Sequence, residues 1–163
     1  MELRLASIDD AEAIRAIYNH EVLTTTAVFD IEPRSLADQR AWRAARSGAH
    51  AVVVAEVAGT VAGFASLSPY RPRPAYTTTV EDSVYVHAGH RGAGVGGALL
   101  DRLLEVATLH GFHSVIGRIG GGNEGSIALH RSRGFALVGV EREVGRKFGR
   151  WLDVHVVQLL LPA

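Results

Sequence analysis

The chain has no cysteine among its 163 residues. This excludes disulfides, thiolate metal sites and a cysteine nucleophile. Neither charge is in excess, with 17 Lys+Arg against 17 Asp+Glu. A balanced chain has no overall field to draw it onto nucleic acid or anionic lipid, so neither is an expected partner. Long apolar runs are also missing. Val52, Val53, Val54 and Ala55 make only a strand-sized run, far short of the roughly 20 residues of a membrane span. The opening residues, MELRLASIDD, lack a cationic start followed by an apolar run. No signal peptide is expected, and the cytoplasm is the expected compartment. Repeats, low-complexity tracts and long linkers are absent, so residues 1–163 are expected to form one domain.

The residues that are present make a well-filled core possible, since 47 % are hydrophobic. A short strand is predicted at residues 3–6. Ser7 with Asp10 three residues later reads as a capping-box start, and Ala11, Ile14, Ile17 and Tyr18 recur at helical spacing to about Glu21. Residues 24–33 read as a loop. Ser35 opens a second helix that stops at Gly48. Val-rich residues 50–57 and residues 61–67 read as a hairpin turning at Ala58-Gly59-Thr60. Pro69, Pro72 and Pro74 enforce an irregular connection.

Residues 80–87 form the next predicted strand, followed by a glycine-rich turn and a helix at 98–109. A strand at 114–119 leads to three glycines, and Asn123 is the expected N-cap of a helix at 126–133 closed by Gly134. Strands at 135–144 and 151–161 end the chain. The order β-α-α-β-β-β-α-β-α-β-β mixes hairpins with helical crossovers. It predicts an α/β fold, a mixed central β-sheet with helices on both faces.

The sharpest local feature is the turn Arg91-Gly92-Ala93-Gly94-Val95-Gly96-Gly97 between a strand and a helix. Without Cβ atoms, successive backbone N–H groups converge on one point, and a helix N-terminus adds unpaired N–H groups and partial positive charge. The result suits a pyrophosphate, to which Arg91 adds a charge-assisted hydrogen bond. A P-loop would need Lys-Ser or Lys-Thr next, whereas Ala98-Leu99 follow. A dinucleotide fold would place the turn after the first strand. The plain alternative is a glycine turn that only joins strand to helix.

The Arg-x-x-Gly-x-Gly pattern, in this setting, resembles the pyrophosphate motif of the GCN5-related N-acetyltransferase (GNAT) superfamily. Further segments extend the resemblance to the phosphinothricin and methionine sulfone/sulfoximine acetyltransferase group. They are Tyr18-Asn19-His20, 24–29, Glu32-Pro33, 54–57, Ala75-Tyr76, 79–86, Leu129-His130 and 147–153. This resemblance implies a sheet splayed between two central strands, at 83–86 and 114–119, with acetyl-CoA in the opening. Backbone groups of Val84 and Val86, about Tyr85, would hold the pantetheine arm. Gly92, Ala93, Gly94, Val95, Gly96 and Gly97 would hold the pyrophosphate, with Asn123 and Ser126 near the reactive end. It also implies a homodimer, with the strand of Trp151 at the contact.

Acyl transfer to an amine needs a base, donors for the tetrahedral oxyanion and a proton for the thiolate. A free α-amine has a pKa of about 8, so a modest base suffices. By resemblance Glu81 is that base; read alone, it is an ordinary strand carboxylate sharing a face with Ser83 and Tyr85. His130 stands where most of the superfamily has Tyr, and it suits a base or an acid. Arg71 and Arg73 are candidates to clamp an acceptor carboxylate or are solvated loop charges. Phe29, Tyr76, Thr26 and Ser83 would wall the acceptor pocket by resemblance. Thr78 and Ser83 depart from the Trp and Thr of the herbicide-inactivating members.

His87 with His90, and His110 with His113, have a spacing seen in metal sites, but no carboxylate motif completes one, so no metal is expected. The expected activity is acetyl transfer from acetyl-CoA to the α-amine of a small amino-acid-like molecule. The alternatives are a polyamine, an antibiotic amine or a protein N-terminus as acceptor, or a CoA-binding module without turnover.

Overall fold

Val52, Val53, Val54 and Ala55 show how the fold is assembled. Successive strand side chains point to opposite faces, so Val52 and Val54 look one way while Val53 and Ala55 look the other. All four are buried, which requires cover on both faces of the sheet. In the computed structural model, which describes residues 1–162, helices supply that cover.

The elements run β1 (Glu2–Leu5), α1 (Ala11–Thr24), α2 (Leu36–Ala44), β2 (Val52–Val57), β3 (Thr60–Pro69), β4 (Thr79–Val86), α3 (Val95–Leu109), β5 (Ser114–Gly120), α4 (Glu124–Ser132), β6 (Ala136–Lys147) and β7 (Arg150–Leu160). One seven-stranded sheet has the order β1-β2-β3-β4-β5-β7-β6. The β4–β5 pair is parallel and the other pairs are antiparallel. This is the mixed α/β sheet expected from the element order. No described helix is long and apolar enough to cross a membrane.

On one face, Ile14, Ile17, Tyr18 and Val22 of α1 pack on Val52, Val54 and Phe64. On the other, Val95, Leu99, Leu100 and Leu103 of α3 pack on Val53, Ala55, Ala65, Leu67 and Val80. Burying each such leucine contributes roughly 1.5–3 kcal/mol. The capping boxes form: Ser7 with Asp10 opens a single 3-10 turn ahead of α1, and Ser35 with Asp38 opens α2.

Several boundaries differ from the sequence reading. Helix α2 ends at Ala44, ahead of Gly48. Helix α3 starts at Val95 instead of residue 98, so Gly96 and Gly97 are helical. Packing bears on one of them. A Cβ on Gly97 would strike the Arg133 guanidinium, whereas one on Gly96 would make ordinary contact with Leu129 and Val86. Helix α4 starts at Glu124, because the Asn123 side chain already accepts the Ser126 N–H at 3.1 Å. Strand β6 runs on to Lys147 because Phe148 (φ 50°) and Gly149 (φ 71°) form a tight turn into β7.

The feature that positions the site is a parting of two strands. Strand β4 pairs with β5 only through residues 79–82 against 114–117. Beyond that, β4 stays on β3 as far as Val86, while β5 follows β7 as far as Gly120. A wedge opens between residues 83–86 and 118–120.

Candidate active site

Backbone hydrogen-bonding direction alternates along an antiparallel pair. The His87 N–H donates to the Ala62 carbonyl at 2.8 Å. Continuing that register down β4, Tyr85, Ser83 and Glu81 face their β3 partners Phe64, Ser66 and Ser68. The main-chain groups of Val84 and Val86 therefore point into the wedge, where β5 no longer meets them. Unpaired strand amides and carbonyls at a half-buried site call for a partner, and an extended amide-bearing arm provides one.

The wedge opens into a cavity of about 640 Å³. Its wall includes Thr26, Ser83, Val84, Tyr85, Val86, Arg91, Gly92, Gly94, Val95, Gly96, Gly97, Asn123, Ser126 and His130, all expected from sequence. Ala93 is exposed and outside the wall. Gly92 (φ +75°) and Gly94 (φ +82°) hold left-handed backbone that favours glycine, and a Cβ on either would meet nothing within 4 Å. Their open side and the first N–H groups of α3 are suited to an anion. Arg91 does not stand free beside this turn: its Nη2 is paired with the buried carboxylate of Glu21 on α1. Its remaining donors are what it offers an anion.

Tyr85 contributes its backbone to the wedge, whereas its ring lies on Phe64 at 5.0 Å and edge-on to Tyr18 at 5.4 Å. Burial pushes its hydroxyl up to about 12.

His130 and Asp82 form a buried pair, with Nε2 2.8 Å from Oδ2. The other ring nitrogen, Nδ1, lies 2.7 Å from the Ser126 carbonyl oxygen. A carbonyl only accepts, so Nδ1 carries a proton. Burial opposes the charged ring, but the Asp82 hydrogen bond and charge, with the Ser126 carbonyl, outweigh it. The His130 pKa is raised above its ordinary 6.5. Both nitrogens thus face acceptors, which makes this ring a poor base. Gly117 leaves room for the pair, since a Cβ there would sit 3.1 Å from Asp82 Oδ1 and 3.2 Å from His130 Cδ2. Asp82 Oδ1 is buried without a hydrogen-bond partner and borders the cavity.

Glu81 projects from the opposite face of β4 and is outside the cavity wall. Burial raises its carboxyl pKa above the ordinary 4.5; Arg118 pulls it down, Asp82 pushes it up and Arg71 opposes. Phe29 rests on Gly120 and Gly145, where Cβ atoms would collide with its ring, and Thr26 rests likewise on Gly121. Together they close the loop after α1 over the end of β5. Tyr76 stacks edge-on to Tyr70 at 5.4 Å, and Arg71 lies over the Tyr70 ring at 4.9 Å. Arg73 is exposed on the same connection, apart from the cavity.

The sequence reading missed Asp82, Arg118, Glu21 and Lys147. Asp82 shares a strand face with Val84 and Val86 by alternation, which was a usable signal. Lys147 is the chain's one lysine. It is buried, and its Nζ donates to the Val28 carbonyl at 2.7 Å, tying the loop of Phe29 to β6. Glu21 and Arg118 had no local signal. Among the described residues no group of three His, Asp or Glu side chains is placed to hold a metal ion.

The sequence pattern of the Acetyltransferase (GNAT) family matches residues 14–135. The chain is 44 % identical, over 98 % of its length and 94 % of the relative's, to an L-methionine sulfoximine/L-methionine sulfone acetyltransferase of Pseudomonas paraeruginosa. A solved ribosomal-protein-alanine N-acetyltransferase from Brucella melitensis superposes with a TM-score of 0.96 at 41 % identity, covering 99 % of this chain and 100 % of that one. A phosphinothricin acetyltransferase from Sinorhizobium meliloti, solved in complex with acetyl-CoA, gives 0.95 at 40 % identity over 98 % and 88 %. A splayed sheet, a glycine-rich turn and nearly full-length identity define the class: the chain belongs to the Acetyltransferase (GNAT) family and is an N-acetyltransferase.

Proposed function

We propose that this enzyme transfers the acetyl group of acetyl-CoA directly to the α-amine of a small amino acid of the methionine sulfone, methionine sulfoximine or phosphinothricin type. The observation that carries the reading is the wedge: Val84 and Val86 present unpaired main-chain groups beside the open glycine cradle. A diphosphate at Gly92 and Gly94, with Asn123 and Ser126 by the reactive end, directs the arm between β4 and β5. The thioester carbonyl then lies against the backbone of β4.

The amine nitrogen attacks that carbonyl carbon, forming the C–N bond, and collapse of the tetrahedral intermediate breaks the C–S bond. Glu81 takes the amine proton, directly or through water. Its raised pKa brings it nearer that of an α-amine. The Asp82–His130 pair lies on the other face of β4. There it is a hydrogen-bonded pair of little net charge, and the developing thiolate takes its proton from solvent. Arg71 and Arg73 attract the acceptor carboxylate, and Thr26, Phe29, Tyr76 and Ser83 bound its side chain.

A protein N-terminus is the second reading, favoured by the likeness to the Brucella enzyme. The arginines around Glu81 disfavour a polyamine or aminoglycoside. Acetyl-CoA supply puts the enzyme in the cytoplasm. As partner it takes a second copy of itself, through the exposed apolar side chains of β6 and β7.

Measuring CoA release with methionine sulfone, methionine sulfoximine, phosphinothricin, spermidine and alanyl peptides tests the proposal. Turnover on an amino acid is expected. Turnover on peptides alone would replace this reading with the second, and acetyl-CoA binding without turnover on any amine would leave a non-catalytic module.

A further inference from the structure

Beyond its pull on the Glu81 carboxyl, Arg118 has no role so far, yet it forms part of the cavity wall. It follows Gly117, the last residue of β5 paired with β4. By strand alternation its side chain shares a face with Ile116, the partner of Glu81. Arg118 therefore stands on the Glu81 face of the sheet, where the wedge opens toward the acceptor. Its side chain is 32 % exposed.

Arg118 is not a free cation. Its Nη2 is 2.5 Å from Glu141 Oε1, on β6 and outside the cavity wall. Strand β7 brings the two together, because Arg118 is opposite Val156 while Glu141 is opposite Val154. Guanidinium carries five N–H donors, so the donors not facing Glu141 remain for a ligand. What Glu141 removes is the net charge. The pair presents hydrogen-bond donors with little net attraction for an anion, and a full negative charge on the ligand would also meet Glu141 across a short distance.

We infer that Arg118, neutralised by Glu141, forms a side-chain subsite for the acceptor that accepts an uncharged polar oxygen and discriminates against an anionic end group. This rests on the amino-acid reading above. Of the two acceptor classes, it selects the uncharged sulfone or sulfoximine over the phosphinate. Arg71 and Arg73, which no carboxylate among the described residues holds in a salt bridge within 4 Å, are left to meet the α-carboxylate. Arg118 touches the acceptor, and Glu141 acts through it as a positioning and charge-balancing residue.

The test is the ratio of kcat/KM for methionine sulfone to that for phosphinothricin, in wild type, Glu141→Gln and Arg118→Met. Glu141 is exposed, so Glu141→Gln leaves the fold intact. Glu141→Gln is expected to lower the ratio about tenfold, mainly by improving phosphinothricin, as befits a charged hydrogen bond gained. Arg118→Met is expected to lower kcat/KM for the sulfone about tenfold. Acetyl-CoA affinity, measured by calorimetry, stays within about twofold in both.

A ratio unchanged by Glu141→Gln overturns the inference while the amino-acid reading stands. So does a loss of acetyl-CoA affinity that accounts for the change. Wild-type enzyme that acetylates peptides and no amino acid overturns both.

Discussion

At the residue scale, the site separates two carboxylates that are neighbours in sequence. Glu81 and Asp82 sit on opposite faces of β4, one on the face of Ser83 and Tyr85 and one turned to the buried His130. Their chemistry diverges accordingly. Replacing Glu81 by Gln is expected to lower kcat by about a hundredfold or more while acetyl-CoA binding holds; near-wild-type kcat across pH would remove Glu81 as the base. The wild-type profile should lose activity as pH falls through a value above the ordinary carboxylate 4.5. Arg118→Met withdraws an opposing cation and moves that acid limb to still higher pH.

His130 gives a stability signature instead. Its folded pKa lies above 6.5, so the pair stabilises fully below that pH and loses its effect as pH rises through the folded value. The wild-type advantage in Tm over Asp82→Asn should be largest below about pH 6.5 and shrink above it. An advantage that grows with pH contradicts an imidazolium. Glu81 and His130 were named through the family resemblance; read alone, Glu81 is an ordinary strand carboxylate. Asp82 and Arg118 acquire meaning only when β4 and β5 are set side by side.

At the element scale, the wedge arises from competing pairings. Strand β4 holds to β3 and β5 holds to β7, so each strand leaves the other after residues 82 and 117. The succession of elements along the chain follows from hydrophobic runs and turns, which is why the alternation of strands and helices was readable. The starting point of α3 was not, because glycine has low helix propensity and nothing local reveals that Gly97 lies against the Arg133 guanidinium. Gly94, which caps α3 at φ +82°, is the sharper test. Gly94→Val forces a branched side chain into left-handed backbone at a cost of roughly 1–2 kcal/mol and obstructs the cradle. Acetyl-CoA affinity should fall at least about tenfold, with KM for the amine changing less. Unchanged cofactor affinity would count against the cradle.

At the scale of the whole molecule, the apolar surface is uneven. Leu137, Val138, Val144, Phe148, Trp151 and Leu160 on or between β6 and β7 are each more than half exposed. Arg146 covers only the Trp151 face, at 4.6 Å. These exposed apolar side chains lie at both ends of the β6–β7 hairpin, and under the proposed homodimer a second copy covers this hairpin with C2 symmetry. Wild type should sediment as a dimer and Trp151→Glu as a monomer; a Trp151→Glu variant that still sediments as wild type would move the contact elsewhere.

The parted strands and the glycine turn are proposed to aim an acyl carbon together at the Glu81 face. A crystal structure with bound coenzyme A decides this. The diphosphate is expected on the amides of residues 92–97, the pantetheine arm bonded to the main chain of Val84 and Val86, and the sulfur at the wedge between β4 and β5. A ligand seated outside that wedge, with its sulfur remote from Glu81, would refute the proposal.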